Sequence, residues 1–189
     1  MTTTNAVAPI ASFSLPSRVL HWLMALLLLA QLLAGVGMVA TVSVWHDRLI
    51  NLHKPLGICL LVLVVLRLVL RWVGGSPPLP ASMPAWQRYA ATLSHYGLYA
   101  AMLGMPLLGW AMLSAAADPL PGIGGWHLPP IMPHNVALYA WLRWAHGIGG
   151  QLFFLLVLMH IGAGLLHALV LKEDGVFASI TRRGRRPNG

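Results

Sequence analysis

The chain has 189 residues, 58% of them apolar and only 8% charged, where a water-soluble domain carries about 25% charged side chains. Its formal charge of +8 reflects twelve Lys and Arg against four Asp and Glu, and nine histidines stand beside them. This composition excludes an ordinary soluble enzyme and argues for a bilayer as the solvent.

A transmembrane helix needs about 20 mostly apolar residues, and four stretches meet that length, about 19–42, 53–73, 92–116 and 145–171. The expected fold is therefore all-α, an integral membrane four-helix bundle over residues 18–175. Residues 1–17 are rich in Thr, Ala and Ser and reach Pro16, which suits a cytoplasmic leader. The first stretch bears no charge between Arg18 and Asp47. That is longer than the apolar region of a secretory signal, about 7–15 residues, so it is read as a retained helix. "SVWHDRLINLHKP" comes next as a short outward loop. "GGSPPLPASMPAWQR" is Pro-rich and breaks any helix, giving an inward connection. "AADPLPGIGGWHLPPIMPHNVALYAW" is the longest loop, outward-facing, with a short helix expected near 135–142; loops this long often carry function. Residues 176–189 form a basic cytoplasmic tail. No internal repeat and no separate soluble domain emerges.

With four spans, Arg18, Arg67, Arg71, Arg88, Lys172, Arg182, Arg183, Arg185 and Arg186 fall on one side, against Arg48, Lys54 and Arg143 on the other. The positive-inside rule then places both termini in the cytoplasm. The tail "RRGRR" reads as a topology determinant near anionic lipid, not as a nucleic-acid arm. Cys59 is the lone cysteine, which excludes an internal disulfide, a thiolate cluster and covalent haem attachment through C-x-x-C-H.

The histidines carry the chemistry. In a membrane helix a single histidine is often an interfacial residue or an interhelical hydrogen-bond donor, so the arrangement matters more than any one of them. His146 and His160 are 14 residues apart, which puts them within roughly 40° on one helix face and about 21 Å apart along the axis. His53 begins the second stretch on the outward side and His21 begins the first on the inward side. His53 can thus face His146, and His21 can face His160. Two lone imidazoles make a poor zinc site, which takes four ligands or three and a water. Haem iron takes axial ligands on opposite faces of a flat apolar macrocycle, histidine among them. Two b-type haems, iron protoporphyrin IX, fit this pattern best.

Room for a porphyrin is a second test, since helix neighbours on one face lie three and four residues on. His53 is followed by Leu56 and Gly57, His146 by Gly149 and Gly150, His160 by Ala163 and Gly164, and His21 by Met24 and Ala25. His95 and His167 instead meet Leu98 and Tyr99, and Val170 and Leu171. Arg67 and Arg71 share the His53 face at inward depth. Intramembrane cations need partners, and haem propionates would supply them; snorkelling to the interface is the competing reading. Arg18, one turn before His21, is a weaker candidate.

"SRVLHWLMALL", "NLHKPLGICLLVLVVLRLVLR", "LSHYGLYAAMLGMPLLGW" and "WAHGIGGQLFFLLVLMHIGAGLLH" together resemble the bacterial di-haem cytochrome b561 membrane proteins, a family that includes superoxide oxidase. The likeness covers nearly the whole chain. It implies axial ligands at His21, His53, His146 and His160, and a quinone pocket near the inward surface at His95 and His167. His46, His127 and His134 fall in outward loops and read as surface residues. The resemblance implies a bacterial inner-membrane oxidoreductase, passing electrons from a periplasmic one-electron donor, superoxide foremost, to ubiquinone. His95 or His167 would relay protons, as suits histidine near neutral pH. Arg48, Lys54 and Arg143, diluted by Asp47 and Asp118, would form a mild funnel for an anion. Two alternatives remain: an electron-transfer subunit anchoring a periplasmic dehydrogenase, hydrogenase or soluble cytochrome, and a non-redox transporter or scaffold whose histidines only bridge helices.

Overall fold

The computed structural model describes residues 12–79, 83–118, 120, 127–171 and 176–181. Residues 1–11 of the leader, Pro119 and 121–126 of the long loop, and Lys172, Arg182, Arg183, Arg185 and Arg186 lie outside the described residues.

Four long helices and one short one succeed each other along the chain: α1 Leu15–Ala40, α2 Val44–Gly74, α3 Ala85–Ala115, α4 Val136–Leu169 and α5 Val176–Thr181. The four long ones are apolar and long enough to cross a membrane. Their starts are set by capping chemistry. The Ser14 hydroxyl accepts from the Ser17 N–H with Pro16 in the first turn, that of Ser43 accepts from the Trp45 N–H, and the Asn135 carboxamide accepts from the Leu138 N–H; each satisfies a donor the helix itself cannot. α2 ends on Gly75, whose φ of 69° is left-handed and whose N–H donates to the Arg71 carbonyl, a conformation glycine adopts without steric cost.

These caps lie outside the apolar stretches, so the helices outrun them. α2 starts at Val44, and "SVWHDRLINLHKP", expected as a loop, is mostly helix with Asp47 in its first turn and Pro55 inside. The short helix expected near 135–142 is the opening of α4. Hydropathy marks where a chain prefers hydrocarbon, whereas backbone hydrogen bonding continues into water until a cap or breaker stops it. Helices of 26 to 34 residues are about 39 to 51 Å long at about 1.5 Å per residue, against a hydrocarbon core of about 30 Å.

α1 pairs closely with α2 and α3 with α4; α2 meets α3, and α4 touches α1 only sparsely. One core cluster joins Leu28, Leu32, Leu60, Leu98, Phe153 and Val157, and a second joins Leu20, Met24 and the fully buried Val64. Leu26, Val62, Leu93 and Leu155 point outward, as side chains facing lipid do.

We call the end carrying the α1–α2 and α3–α4 connections the outward end, after the charge-based topology. Here His46 Nδ1–H donates to the Met38 carbonyl at 2.9 Å and His134 Nδ1–H to the Ala115 carbonyl at 3.0 Å. By sequence both look like plain surface residues, yet each takes up a carbonyl left over at a helix C-terminus. Lys54 Nζ bridges to Asp118 at 2.7 Å, tying α2 to the chain leaving α3. At the inward end α5 docks on the start of α1: the Phe13 N–H donates to the Ser179 carbonyl at 3.0 Å, and Trp22 Nε1 and Arg18 donate to the Ile180 and Thr181 carbonyls, both at 3.4 Å.

Candidate functional site

α4 presents His146, His160 and His167 along one face, because steps of 14 and 7 residues return close to the same azimuth at about 100° per residue. α2, running the other way, brings His53 to the His146 level, and α1 brings His21 to the His160 level. The ring centroids of His53 and His146 are 6.2 Å apart with planes at 77°; those of His21 and His160 are 6.4 Å apart at 75°. Both pairs predicted from spacing are therefore assembled. They reach across helices that otherwise stand apart, since α4 packs along α3.

These separations suit one metal ion between two rings. A metal–imidazole bond of about 2.0–2.1 Å plus about 1.1 Å from nitrogen to ring centre gives about 6.2–6.4 Å for two imidazoles on opposite sides of one iron. His160 has a second neighbour, His95, whose centroid lies 5.6 Å away with planes at 82°. That is about 0.6 Å shorter than the same arithmetic gives, whereas the His21 separation matches it. His95 is held otherwise: its Nδ1–H donates to the Ala91 carbonyl at 2.6 Å. Among the described residues, no group of three or more His, Cys, Asp or Glu side chains converges as a metal site, which argues against zinc on the same ground as the ligand count.

The outward pair also holds buried polar atoms whose partners the described side chains do not supply. Nδ1 of His53 and Nδ1 of His146 are both buried and make no hydrogen bond, and so is Oε1 of Gln31. Few buried polar groups go unpaired in a finished structure.

The room test comes out differently from its sequence version. Beside His160, a Cβ on Gly164 would meet nothing within 4 Å, so that side is open. Beside His146, Cβ atoms on Gly149 and Gly150 would lie 2.8 Å from Met105 Sδ and 3.8 Å from Met105 Cε; the space is taken by a flexible thioether able to swing aside. A Cβ on Gly57 would lie 3.2 Å from Gln31 Nε2. The glycines that touch the rings belong to other helices: a Cβ on Gly35 would be 3.6 Å from His53 Cε1, and one on Gly109 would be 3.2 Å from His146 Cε1. Sequence spacing missed both, as it missed Gln31, because it compares residues on one helix only.

Arg67 donates to the Ser17 carbonyl at 3.2 Å and lies within electrostatic reach of His21, His95 and His160. Arg71 sits over the Tyr99 ring, 5.5 Å from its centroid. Both lie toward the end of the bundle where α1 begins. His167 is in the last turn of α4 and half-buried. Of the outward cations, Arg48 stacks on Trp45 at 4.9 Å, Arg143 donates to the Tyr139 hydroxyl at 3.4 Å, and Lys54 is neutralised by Asp118.

Residues 12–182 match the family model described as prokaryotic cytochrome b561. The chain is 29% identical to cytochrome b561 homolog 1 of Escherichia coli (strain K12), over 69% of this chain and 74% of that protein. It is 28% identical to cytochrome b561 homolog 2 of the same organism, over 84% and 85%. A protein of Yersinia pestis named "Probable superoxide oxidase CybB" is 24% identical, over 70% of this chain and 74% of its own length.

Proposed function

The chain belongs to the prokaryotic cytochrome b561 family of multi-pass, haem-linked electron-transfer proteins of the bacterial inner membrane, and from that premise we propose that it carries electrons between a periplasmic one-electron donor and ubiquinone. Two b-type haems are held, one by His53 and His146, the other by His21 and His160. Both termini are cytoplasmic. The observation carrying this reading is the matched pair of imidazole separations, 6.2 and 6.4 Å, set about 21 Å apart along α4.

Bound haem supplies reversible one-electron chemistry between the paired rings. The chain does the rest. The four imidazoles fix position, the apolar walls of Leu28, Leu32, Leu60 and Phe153 keep water from the space between the two levels, and Arg67 and Arg71 compensate propionate charge at the inward end. Superoxide is the favoured donor: two superoxide anions give up one electron each and leave as dioxygen, and one quinone takes two electrons and two protons to become quinol. The two ends of the bundle suit that imbalance. The electron-donating side needs no proton. The quinone-reducing side needs two, and there His95 and Arg67 stand beside His21 and His160, Arg71 acts on His95, and His167 lies in the last turn of α4. We place the quinone against His95 and His167, with His95 Nε2 left to meet it because Nδ1 is engaged by Ala91.

The pairing of Lys54 with Asp118 weakens the outward field for an anion, and this favours a second reading: an anchor subunit that takes electrons from a docked periplasmic protein. Reduction of ubiquinone by superoxide with the isolated chain supports the enzyme; failure with a chain carrying both haems supports the anchor. The underlying scheme is tested by a dithionite-reduced minus oxidised spectrum with haem counted per polypeptide. Two b-type haems are expected, and one or none overturns it.

A further inference from the structure

Gln31 is an uncharged polar residue in the middle of α1, and electron transfer gives it no evident task. Its Oε1 is buried and accepts no hydrogen bond. Leaving such an atom without a donor is costly, and hydrocarbon offers no water to relieve it.

The same α1–α2 interface holds a matching donor. Gly35, one turn after Gln31, lies so near the His53 ring that a Cβ there would be 4.0 Å from Nδ1; Gly57, one turn after His53, lies so near the Gln31 carboxamide that a Cβ would be 3.2 Å from Nε2. Because the helices run antiparallel, each residue is bracketed by the glycine one turn beyond the other. The main-chain carbonyl of Gln31 also lies within hydrogen-bonding reach of the His53 ring, but it already accepts within α1, and His53 Nδ1 makes no well-formed bond to it.

An imidazole that binds a metal through Nε2 carries its proton on Nδ1. Metal-bound histidines almost always pass that proton to a carbonyl or carboxylate, which orients the ring and raises its basicity. His95, which is not one of the four proposed ligands, makes the same kind of Nδ1–H contact, to the Ala91 carbonyl. At the outward centre His53 Nδ1 is a buried atom without a partner, and Gln31 Oε1 is the one buried side-chain oxygen without a donor among the described residues. His146 lies across the centre, against Gly109 of α3.

We propose that Gln31 is a positioning residue of the outward centre, its carboxamide oxygen accepting the Nδ1–H of His53 when Nε2 of that ring is turned to a haem iron. The proposal rests on the two-haem reading. Its consequence is electronic: an acceptor on Nδ1 makes the imidazole a stronger donor, favours ferric iron and lowers the midpoint potential of that haem alone.

The test is a redox titration of the full chain, purified with its haems and followed by its optical difference spectrum. The component that disappears in His146→Leu is the outward one. Gln31→Leu removes the acceptor and is expected to shift the reduction equilibrium of that component about tenfold toward ferrous, which is about 59 mV upward for a one-electron couple. Gln31→Glu strengthens the acceptor and is expected to move it the other way. The inward component stays in place in both variants and reports that the bundle has folded. Unchanged outward potentials in both variants overturn the proposal while leaving two haems intact, because the main-chain carbonyl then suffices. Fewer than two haems in the unmodified chain overturns the reading beneath it as well.

Discussion

Adding a single methyl group at Gly109 should weaken one haem and spare the other. Gly109 lies on α3 and has no part in the histidine pattern, yet its Cβ would stand 3.2 Å from His146 Cε1 and 3.6 Å from Nδ1. Carbon contacts become ordinary from about 3.4 Å, so alanine there requires the imidazole to give by a few tenths of an ångström. Metal–ligand distances tolerate about 0.2 Å. The push on the ring therefore meets or exceeds what the coordination bond can absorb. Overpacking of this kind costs about 1–3 kcal/mol, or about 5- to 150-fold in an equilibrium. Gly109→Ala is expected to keep both haems but release the outward one to an apo-globin acceptor faster by a factor in that range. Gly109→Val, with its β-branch against the ring, is expected to retain only the inward haem. Gly104→Ala is the control: it lies on the same helix, and a Cβ there would meet nothing within 4 Å. A Gly109→Val protein with two haems and an unmodified release rate would refute the reasoning, as would equal loss from Gly104→Ala, which would point to a general effect on α3.

The inward pairing is tested by His21→Leu against His95→Leu: the first should remove the inward haem, the second should keep both haems and slow quinone reduction, and loss of a haem only from the second would make His95 the partner of His160. Asp118→Asn frees Lys54 beside His53. As Asp118 is half-exposed, stability should change by no more than about 1 kcal/mol, while the superoxide reaction should speed up at low salt and lose that gain near 0.15 M ionic strength, where the Debye length is about 8 Å; stopped-flow measurement across a salt series checks both. His134→Ala deletes a 3.0 Å bond to the Ala115 carbonyl, which still accepts from the Asn135 N–H. A net loss of about 1 kcal/mol should lower the unfolding midpoint in detergent by about 2–4 °C with both haems retained.

The four membrane-spanning helices and their apolar cores were legible because hydrocarbon imposes one length and one composition on every span, whereas α5, a single short turn of helix in the segment read as a basic tail, was not. The ends of the long helices were not legible either. Ser43 and Asn135 start α2 and α4 well outside the apolar stretches, in segments whose Trp, His, Asp and Arg read as loop. A capping side chain is a local signal that hydropathy averages away, and the amphipathic turns at a membrane surface look like connections until the cap is weighed.

At the site, legibility divides along a geometric line. The offset between His146 and His160 is a property of one helix, so it could be read from spacing, and the antiparallel order of short-looped helices then supplied His53 and His21 at matching depths. Whatever depends on how one helix is rotated against its neighbour could not be read. Gly164 is the open space its spacing implies, while Gly149 and Gly150, identical in logic, are covered by Met105 from α3. Gly35 and Gly109 touch the rings from helices where no periodic signal marks them. Gln31 has a signal of another kind: it is a neutral amide in a span that otherwise holds Leu, Ala, Val, Met and Gly between Trp22 and Ala40, and a polar group at that depth is costly unless partnered. Such a residue must find a donor or an acceptor inside the bundle, as the histidines and arginines must, and that requirement alone points Gln31 toward the nearest imidazole across the α1–α2 interface.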